Sequence, residues 1–224
     1  MNPSPDSSTT RLLDALGAAN SSIRLQAAMA AGTNPDPGLT AVLLARCAIE
    51  PDFFVRDMLT WALTRLPAEI TVPALCAELR SERAQARSQA LHTLSKIGDS
   101  AVWPAITRSL LRDADDEVAR SAWRAAVVLV PPGEVAGLAA ELAGQLGRGD
   151  RTLRLSLSRA LVALGERIEP VLHTALAAAD PAVRAHARAT EQLLHDPEAA
   201  FDPGVDEAKR IVALGSEPAG DTAC

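Results

Sequence analysis

A five-residue cassette recurs six times along the chain at a nearly constant interval. It consists of Asp or Asn, two variable residues, an aliphatic residue or Ala, and in most copies Arg. From one aliphatic position to the next, the steps are 32, 31, 32, 35 and 30 residues. A repeat of this length indicates a solenoid, in which each unit buries its apolar face only against its neighbours. The six copies begin at Asn20, Asp52, Arg83, Asp115, Asp150 and Asp180.

Each cassette opens a segment with helical periodicity, which we name the B helix of its repeat. With the aliphatic residue as position 0, apolar or small residues return at positions 4, 8 and 11, as in Val55, Leu59, Leu63 and Leu66. This spacing is typical of an α-helix with one buried face. The opening Asp or Asn suits the N-cap of such a helix, and we expect Gly98 to end the third B helix as a C-cap glycine.

A second amphipathic segment, the A helix, precedes each B helix. Abundant Ala and Leu and scarce aromatic residues favour helix over sheet throughout. We therefore predict an all-α fold, an α-solenoid of about six antiparallel helix pairs. The predicted A segments cover residues 8–16, 39–48, 70–80, 101–112, 134–146 and 168–178, and three of them contain an equivalent proline at Pro73, Pro104 or Pro170.

The composition also predicts the domain organisation. We expect a disordered N-terminus at 1–8, the solenoid at 9–196, a C-terminal capping segment at 197–214 and a disordered tail at 215–224. The first ten residues lack the apolar core of a signal peptide, and no apolar run approaches the roughly 20 residues that span a bilayer. We therefore expect a cytoplasmic protein without a membrane segment.

The cassette and the prolines of the A segments resemble those of HEAT repeats, in the short bacterial form that also occurs in phycobilin lyases. The resemblance covers residues 11–195, and two copies depart from it, with Arg83 in place of the acid and Ala119 in place of Arg. In HEAT proteins the cassette acid and arginine form a ladder between repeats. The resemblance thus implies a structural ladder of Asp52, Arg56, Arg87, Asp150, Arg154, Asp180 and Arg184.

In such a solenoid the B helices line the concave surface, and the face opposite their buried positions is the strip at positions 2, 6 and 9. Apolar residues occupy this strip in the early repeats and arginines occupy it in the later ones. A groove of this kind suits a partner peptide or amphipathic helix with acidic and apolar side chains. We expect Trp103 to pack between repeats. Trp123, at position 5, is expected to be intermediate between packing and exposure in the groove. The predicted groove residues are Met29, Asp57, Trp61, His92, Arg120, Arg124 and Arg159.

These observations favour a non-catalytic protein-interaction module. The four histidines form no metal-ligand pair, no phosphate-binding glycine loop is present, and no nucleophile is spaced to suit a base, so we expect no metal, cofactor or catalytic site. A formal net charge of -6 disfavours nucleic acid as a partner.

Two alternatives remain open. Asp57, Trp61 and Arg124 resemble the concave residues of the HEAT-like alkylpurine DNA glycosylases, so the chain could bind DNA. The repeat type is also shared with phycobilin lyases, so a chromophore-lyase-like accessory protein is the second alternative.

Overall fold

The structure is a computed structural model and describes residues 5–196, with side chains from Thr9 onward. The predicted capping segment 197–214 and the predicted tail 215–224 lie outside the described residues. The first helix begins at Pro5, four residues before the predicted start of the solenoid. The helices are α1 (Pro5–Leu16), α2 (Ser21–Thr33), α3 (Thr40–Cys47), α4 (Phe53–Thr64), α5 (Ala68–Glu78), α6 (Ala84–Ile97), α7 (Arg108–Leu111), α8 (Asp116–Leu129), α9 (Val135–Ala143), α10 (Arg151–Val162), α11 (Glu169–Leu176) and α12 (Pro181–His195).

The helices alternate between two layers. Odd-numbered helices are the A helices and even-numbered helices are the B helices, which confirms the predicted all-α solenoid of six pairs across residues 5–196. That part of the chain contains no β-strand, and none of its helices is long and apolar enough to cross a membrane. Four A helices are extended at their N-terminal side by 3₁₀ turns, at Pro37–Leu39, Ser100–Ala105, Pro132–Glu134 and Gly165–Ile168.

Local sequence sets the ends of the B helices. All six cassettes place their first residue at the N-cap, and five of these side chains accept a hydrogen bond from a backbone N–H of the first turn. The sixth, Arg83, has no side-chain acceptor and makes no cap bond. Gly98 ends α6 with a φ of 74°, as predicted, because this left-handed conformation is strained for residues with a Cβ.

The predicted apolar positions form much of the core, although Ile23, position 0 of the first cassette, is 45% exposed. Val118, Ala122, Ala126 and Leu129 of α8 are fully buried, and the equivalent residues of α4 are buried as well. Trp123 is fully buried rather than intermediate, and its indole N–H donates to the Leu111 carbonyl 2.9 Å away. Each B helix from α4 to α10 packs on its own A helix and on both neighbouring repeats, whereas α2 and α12 pack on one.

Contacts between repeats are more extensive among the B helices than among the shorter A helices. The most extensive join α2 to α4 and α6 to α8. We name the exposed side of the B-helix layer the concave surface, as the repeat type predicts.

The cassette arginines close the turn within their own repeat instead of forming the expected Asp–Arg ladder. Nη1 of Arg56 donates to the carbonyls of Glu50 and Pro51 at 2.9 and 2.8 Å. Arg24, Arg87 and Arg184 make the same two bonds to the carbonyls six and five residues before them.

The cassette acids have a different role from the expected one. The carboxylates of Asp52, Asp150 and Asp180 accept backbone N–H groups of their own B helices. Among residues 9–196 none of them lies within ion-pair distance of a cassette arginine. The physical reason is local. A carboxylate at an N-cap accepts hydrogen bonds from the backbone N–H groups of the first helical turn, and these bonds hold it within its own repeat.

The two cassette arginines that reach another repeat pair with acids of the A–B turns. Arg24 forms a bidentate pair with Glu50, both bonds being 2.7 Å, and Arg87 forms the corresponding pair with Asp113. Glu50 is fully buried and also accepts hydrogen bonds from Arg46 and from the Asp52 backbone N–H. Burial by itself favours the neutral acid, but the donors from Arg24, Asp52 and Arg46 outweigh it and lower the pKa of Glu50 to about 2.

Arg148 replaces the arginine that the fourth cassette lacks. Ala119 occupies the cassette position, from which an arginine would donate to the carbonyls of Asp113 and Ala114. Arg148, from the turn of the following repeat, donates to those same two carbonyls at 2.6 and 3.5 Å and pairs with Asp116 at 2.6 Å. In the fifth cassette, Nε of Arg154 is buried without a hydrogen-bond partner among the described residues.

The Glu50 cluster gives the first testable prediction. Glu50→Gln leaves the buried guanidinium of Arg24 without a counter-charge, so we expect the free energy of unfolding to fall by about 3 kcal/mol. Urea denaturation measures it. The control is Glu141→Gln, because Glu141 pairs with Arg108 and Arg112 at the surface, where the loss stays below about 1 kcal/mol. Equal losses in the two variants would contradict a special role for Glu50.

The second prediction concerns pH. The pKa of Glu50 is lower in the folded chain than in the unfolded chain, so its stabilising contribution is present above pH 4.5 and is lost as pH falls toward 2. We expect the contribution of Glu50 to the free energy of unfolding to fall by about 1 kcal/mol between pH 7 and pH 4. Urea titrations at both pH values should therefore show wild type losing more stability than Glu50→Gln. A stability gap that stays constant would refute this assignment.

The third prediction tests the replacement by Arg148. Arg148→Ala removes hydrogen bonds from a charged donor to two turn carbonyls and should cost about 1–2 kcal/mol of unfolding free energy. Arg151→Ala, an exposed neighbour, should cost less than about 0.5 kcal/mol. Adding Ala119→Arg to Arg148→Ala should restore part of the loss, because it returns a guanidinium to the cassette position. No recovery in thermal unfolding would argue against the equivalence of the two arginines.

Candidate functional site

The exposed face of the B helices forms one continuous strip on the concave surface, which we name the concave strip. Its central row is position 6, occupied from α2 to α12 by Met29, Trp61, His92, Arg124, Arg159 and Ala189, all exposed except the half-buried His92. At position 2, Asp57 is exposed and Arg120 is half-buried, whereas Ser88 is buried. Position 9 is buried or half-buried from α2 to α10, whereas position 10 is exposed in each of these helices, so the strip is rotated slightly from the predicted one.

The apolar end of the strip lies on α2 and α4. Met29 is 48% exposed and Trp61 is 38% exposed. The indole of Trp61 lies against the backbone of Gly32 in α2, so closely that a Cβ at Gly32 would overlap the ring. The sequence left open whether Trp61 is exposed. In the structure one edge of the ring packs on the neighbouring repeat and the rest faces the concave surface.

Phe54 is a member of this end that the sequence analysis missed. It precedes Trp61 by seven residues, which places both on one face of α4, and it is 69% exposed. Phe53 is 64% exposed, contacts Phe54 edge-on at 5.6 Å, and lies 6.0 Å from the guanidinium of Arg56. A signal was present in the sequence, because the other cassettes have small, polar or charged residues at these two variable positions.

The middle of the strip is electrostatically mixed. His92 is half-buried on α6, and burial is the main cause that lowers the pKa of its imidazole. The charges of Lys96 and Arg124 lower this pKa further, while Asp57 on α4 opposes them. His92 is therefore neutral at pH 7, and these interactions place Asp57, His92 and Arg124 in one neighbourhood across three B helices.

The basic end lies on α8 and α10. Arg120 pairs with Glu117 one turn earlier, and Arg124 donates to the Ser156 hydroxyl at 3.5 Å. Burial lowers the pKa of the Arg124 guanidinium, and the positive charges of Arg120 and Arg159 lower it further against the attraction of Glu117. The structure thus brings together the three arginines that the sequence assigned to the groove.

Two clefts among the described residues lie away from this strip. One, of about 690 Å³, is lined by Pro73, Cys76, Pro104 and Asp113 and lies between the A sides of the third and fourth repeats. Another, of about 430 Å³, is lined by Trp103, Gly137 and Glu141 and lies one repeat further on. Neither of these two clefts includes a residue of the concave strip.

The buried His186 and the half-buried Trp103 have structural partners away from the strip. His186 accepts the Gly147 N–H on Nδ1 at 3.0 Å, which leaves Nε2 to donate toward the Arg154 carbonyl and the Ser158 hydroxyl. Both His186 and Ser158 are buried, so a substrate could not reach this pair. Trp103 joins two repeats through an indole N–H bond of 2.7 Å to Glu134. In the described side chains no group of three His, Cys, Asp or Glu could hold a metal ion.

The packing of Trp61 gives the fourth prediction. Gly32→Ala places a methyl group where the indole lies, so the ring must swing away from α2. Ala also favours helix by about 1 kcal/mol over Gly, so we expect stability to change by less than about 1 kcal/mol. The indole N–H resonance of Trp61 should shift in a ¹H–¹⁵N spectrum while those of Trp103 and Trp123 stay in place. An unmoved Trp61 resonance would show that the ring does not rest on Gly32.

Comparison with known proteins is consistent with this geometry. Residues 50–127 match the family model for HEAT repeats, a segment that runs from the second A–B turn into α8. No curated protein matches the sequence significantly. HEAT repeats generally mediate interactions between proteins. Over residues 50–127 the chain is thus similar to HEAT repeats, and the stacked helix pairs on both sides of that segment have the same architecture.

Proposed function

We propose that this protein is a cytoplasmic, non-catalytic interaction module that binds a segment of a partner protein along its concave strip. The observation that carries the proposal is the exposure of three large apolar side chains, Met29, Phe54 and Trp61, on adjacent B helices. Soluble proteins rarely leave such neighbours uncovered unless the surface binds something.

The dimensions of the strip support a peptide or helix as the bound segment. Six B helices at about 9–10 Å spacing extend for roughly 50 Å. A groove lined by aromatic and arginine side chains is typical of binding surfaces, because Trp and Arg contribute a large part of the binding energy in many interfaces. Trp61 and Arg124, both in the central row, are the residues on which we expect binding to depend most.

The fifth prediction tests this surface by affinity capture from native lysate. Wild type should retain a specific partner, and the double variant Trp61→Ala, Arg124→Glu should lose it by at least about tenfold, since a hot-spot side chain contributes about 2 kcal/mol or more. The bound fraction is measured by quantitative mass spectrometry.

A matched control changes the same chemistry on the other layer. Ile70 is 44% exposed on α5, and Arg80, two residues after the end of α5, is also exposed. The variant Ile70→Ala, Arg80→Glu therefore alters one apolar and one basic residue of the A side. This variant should bind as wild type does. A partner retained equally by the concave variant and wild type would place the interface elsewhere and refute the proposal. Duplex DNA retained in place of a protein would support the DNA-binding alternative.

A further inference from the structure

The charge of the concave strip is opposite in sign to that of the whole chain. The chain has a formal net charge of -6, yet its cations outnumber its carboxylates along this surface. Such a local reversal is the basis of electrostatic complementarity between binding partners. The strip carries Arg65, Lys96, Arg120, Arg124 and Arg159 against Asp57 and Glu117.

The guanidinium of Arg124 lies close to those of two other arginines of the basic end, Arg120 and Arg159. Within residues 9–196 no carboxylate lies within ion-pair distance of Arg124, whereas Glu117 is paired with Arg120. Partial desolvation of the Arg124 guanidinium and the like charges of Arg120 and Arg159 lower its pKa. Folding alone gains nothing from this crowding. An incoming anion would relieve the repulsion, and the relief would add to the binding free energy.

The apolar and basic ends are separated by a fixed distance. Trp61 and Arg124 lie in the same row on α4 and α8, two B-helix steps apart, which corresponds to about 20 Å. Arg159 on α10 is about 30 Å from Trp61 by the same spacing. A helical segment of about 13–20 residues covers that distance at 1.5 Å per residue. Between the two ends the row is occupied by the neutral His92.

We propose that the concave strip binds one acidic protein segment in a single direction, with apolar side chains over Met29, Phe54 and Trp61 and carboxylates against Arg124 and Arg159. This inference rests on the proposed function and adds the chemistry and the direction of the bound segment. Arginine suits the second role because its planar guanidinium binds a carboxylate through two parallel hydrogen bonds.

The test uses the full chain and two fluorescein-labelled helical peptides of about 18 residues. Both carry Leu and Phe at one end, and the other end carries four Glu in one peptide and four Lys in its counterpart. By fluorescence anisotropy, wild type should bind the Glu peptide at least tenfold more tightly than the Lys peptide, and added salt should reduce the difference. Arg124→Glu, Arg159→Glu should reverse the preference, and Arg80→Glu should leave it unchanged.

Direction is tested with a photo-crosslinker on the Glu peptide. A crosslinker at the acidic end should react with α10, and one at the apolar end with α2 or α4. If each end of the peptide crosslinked both to α10 and to α2 or α4, the single direction of binding would be overturned.

Other outcomes refute the acidic preference specifically. Equal binding of both peptides would do so, as would a preference that survives Arg124→Glu, Arg159→Glu. If Trp61→Ala then weakens both peptides equally, the concave strip still binds segments and the proposed function stands. Binding of neither peptide overturns the inference, and partner capture then decides separately about the proposed function. A 20-base-pair duplex bound as tightly as the Glu peptide would instead assign the arginines to nucleic acid.

Discussion

The hydrogen bonds of the cassette arginine hold four of the six A–B turns in the conformation on which the stack depends. Its guanidinium donates to two carbonyls at the end of the A segment, and these carbonyls would otherwise face the start of the B helix without a donor. The remaining N–H groups of Arg24 and Arg87 donate hydrogen bonds to an acid of the next repeat, Glu50 or Asp113. One side chain thereby fixes both the angle within a repeat and the position of its neighbour.

This arrangement explains how the middle of the solenoid tolerates Ala119. The turn carbonyls of Asp113 and Ala114 still need a donor, and Arg148 supplies it from the next repeat. The bond therefore joins two repeats where the usual bond lies within one. The same turn carries the Asp113 carboxylate that receives Arg87, so three consecutive repeats meet at one place, beside the arginines of the basic end.

The concave strip follows from the same framework. Because the B helices are held in register, equivalent positions of successive repeats form rows, and the chemistry of a row is simply the series of residues at one position. Position 6 changes from Met and Trp through His to Arg, which produces an apolar end and a basic end on one surface. Because Gly32 has no side chain, the ring of Trp61 can lie against α2, and Trp61 still remains partly exposed at the apolar end.

The sequence by itself determined the repeat, the six B-helix N-caps, the buried positions and the row that contains Trp61 and Arg124. These are properties of local periodicity and capping, and they depend on residues close together in the chain. Only the tertiary structure decided the partners of the arginines, since a guanidinium reaches whichever acceptor the packing leaves unoccupied. It also decided the exposure of Trp61 and Phe54 and the rotation of the strip toward position 10, because these depend on how closely neighbouring B helices approach.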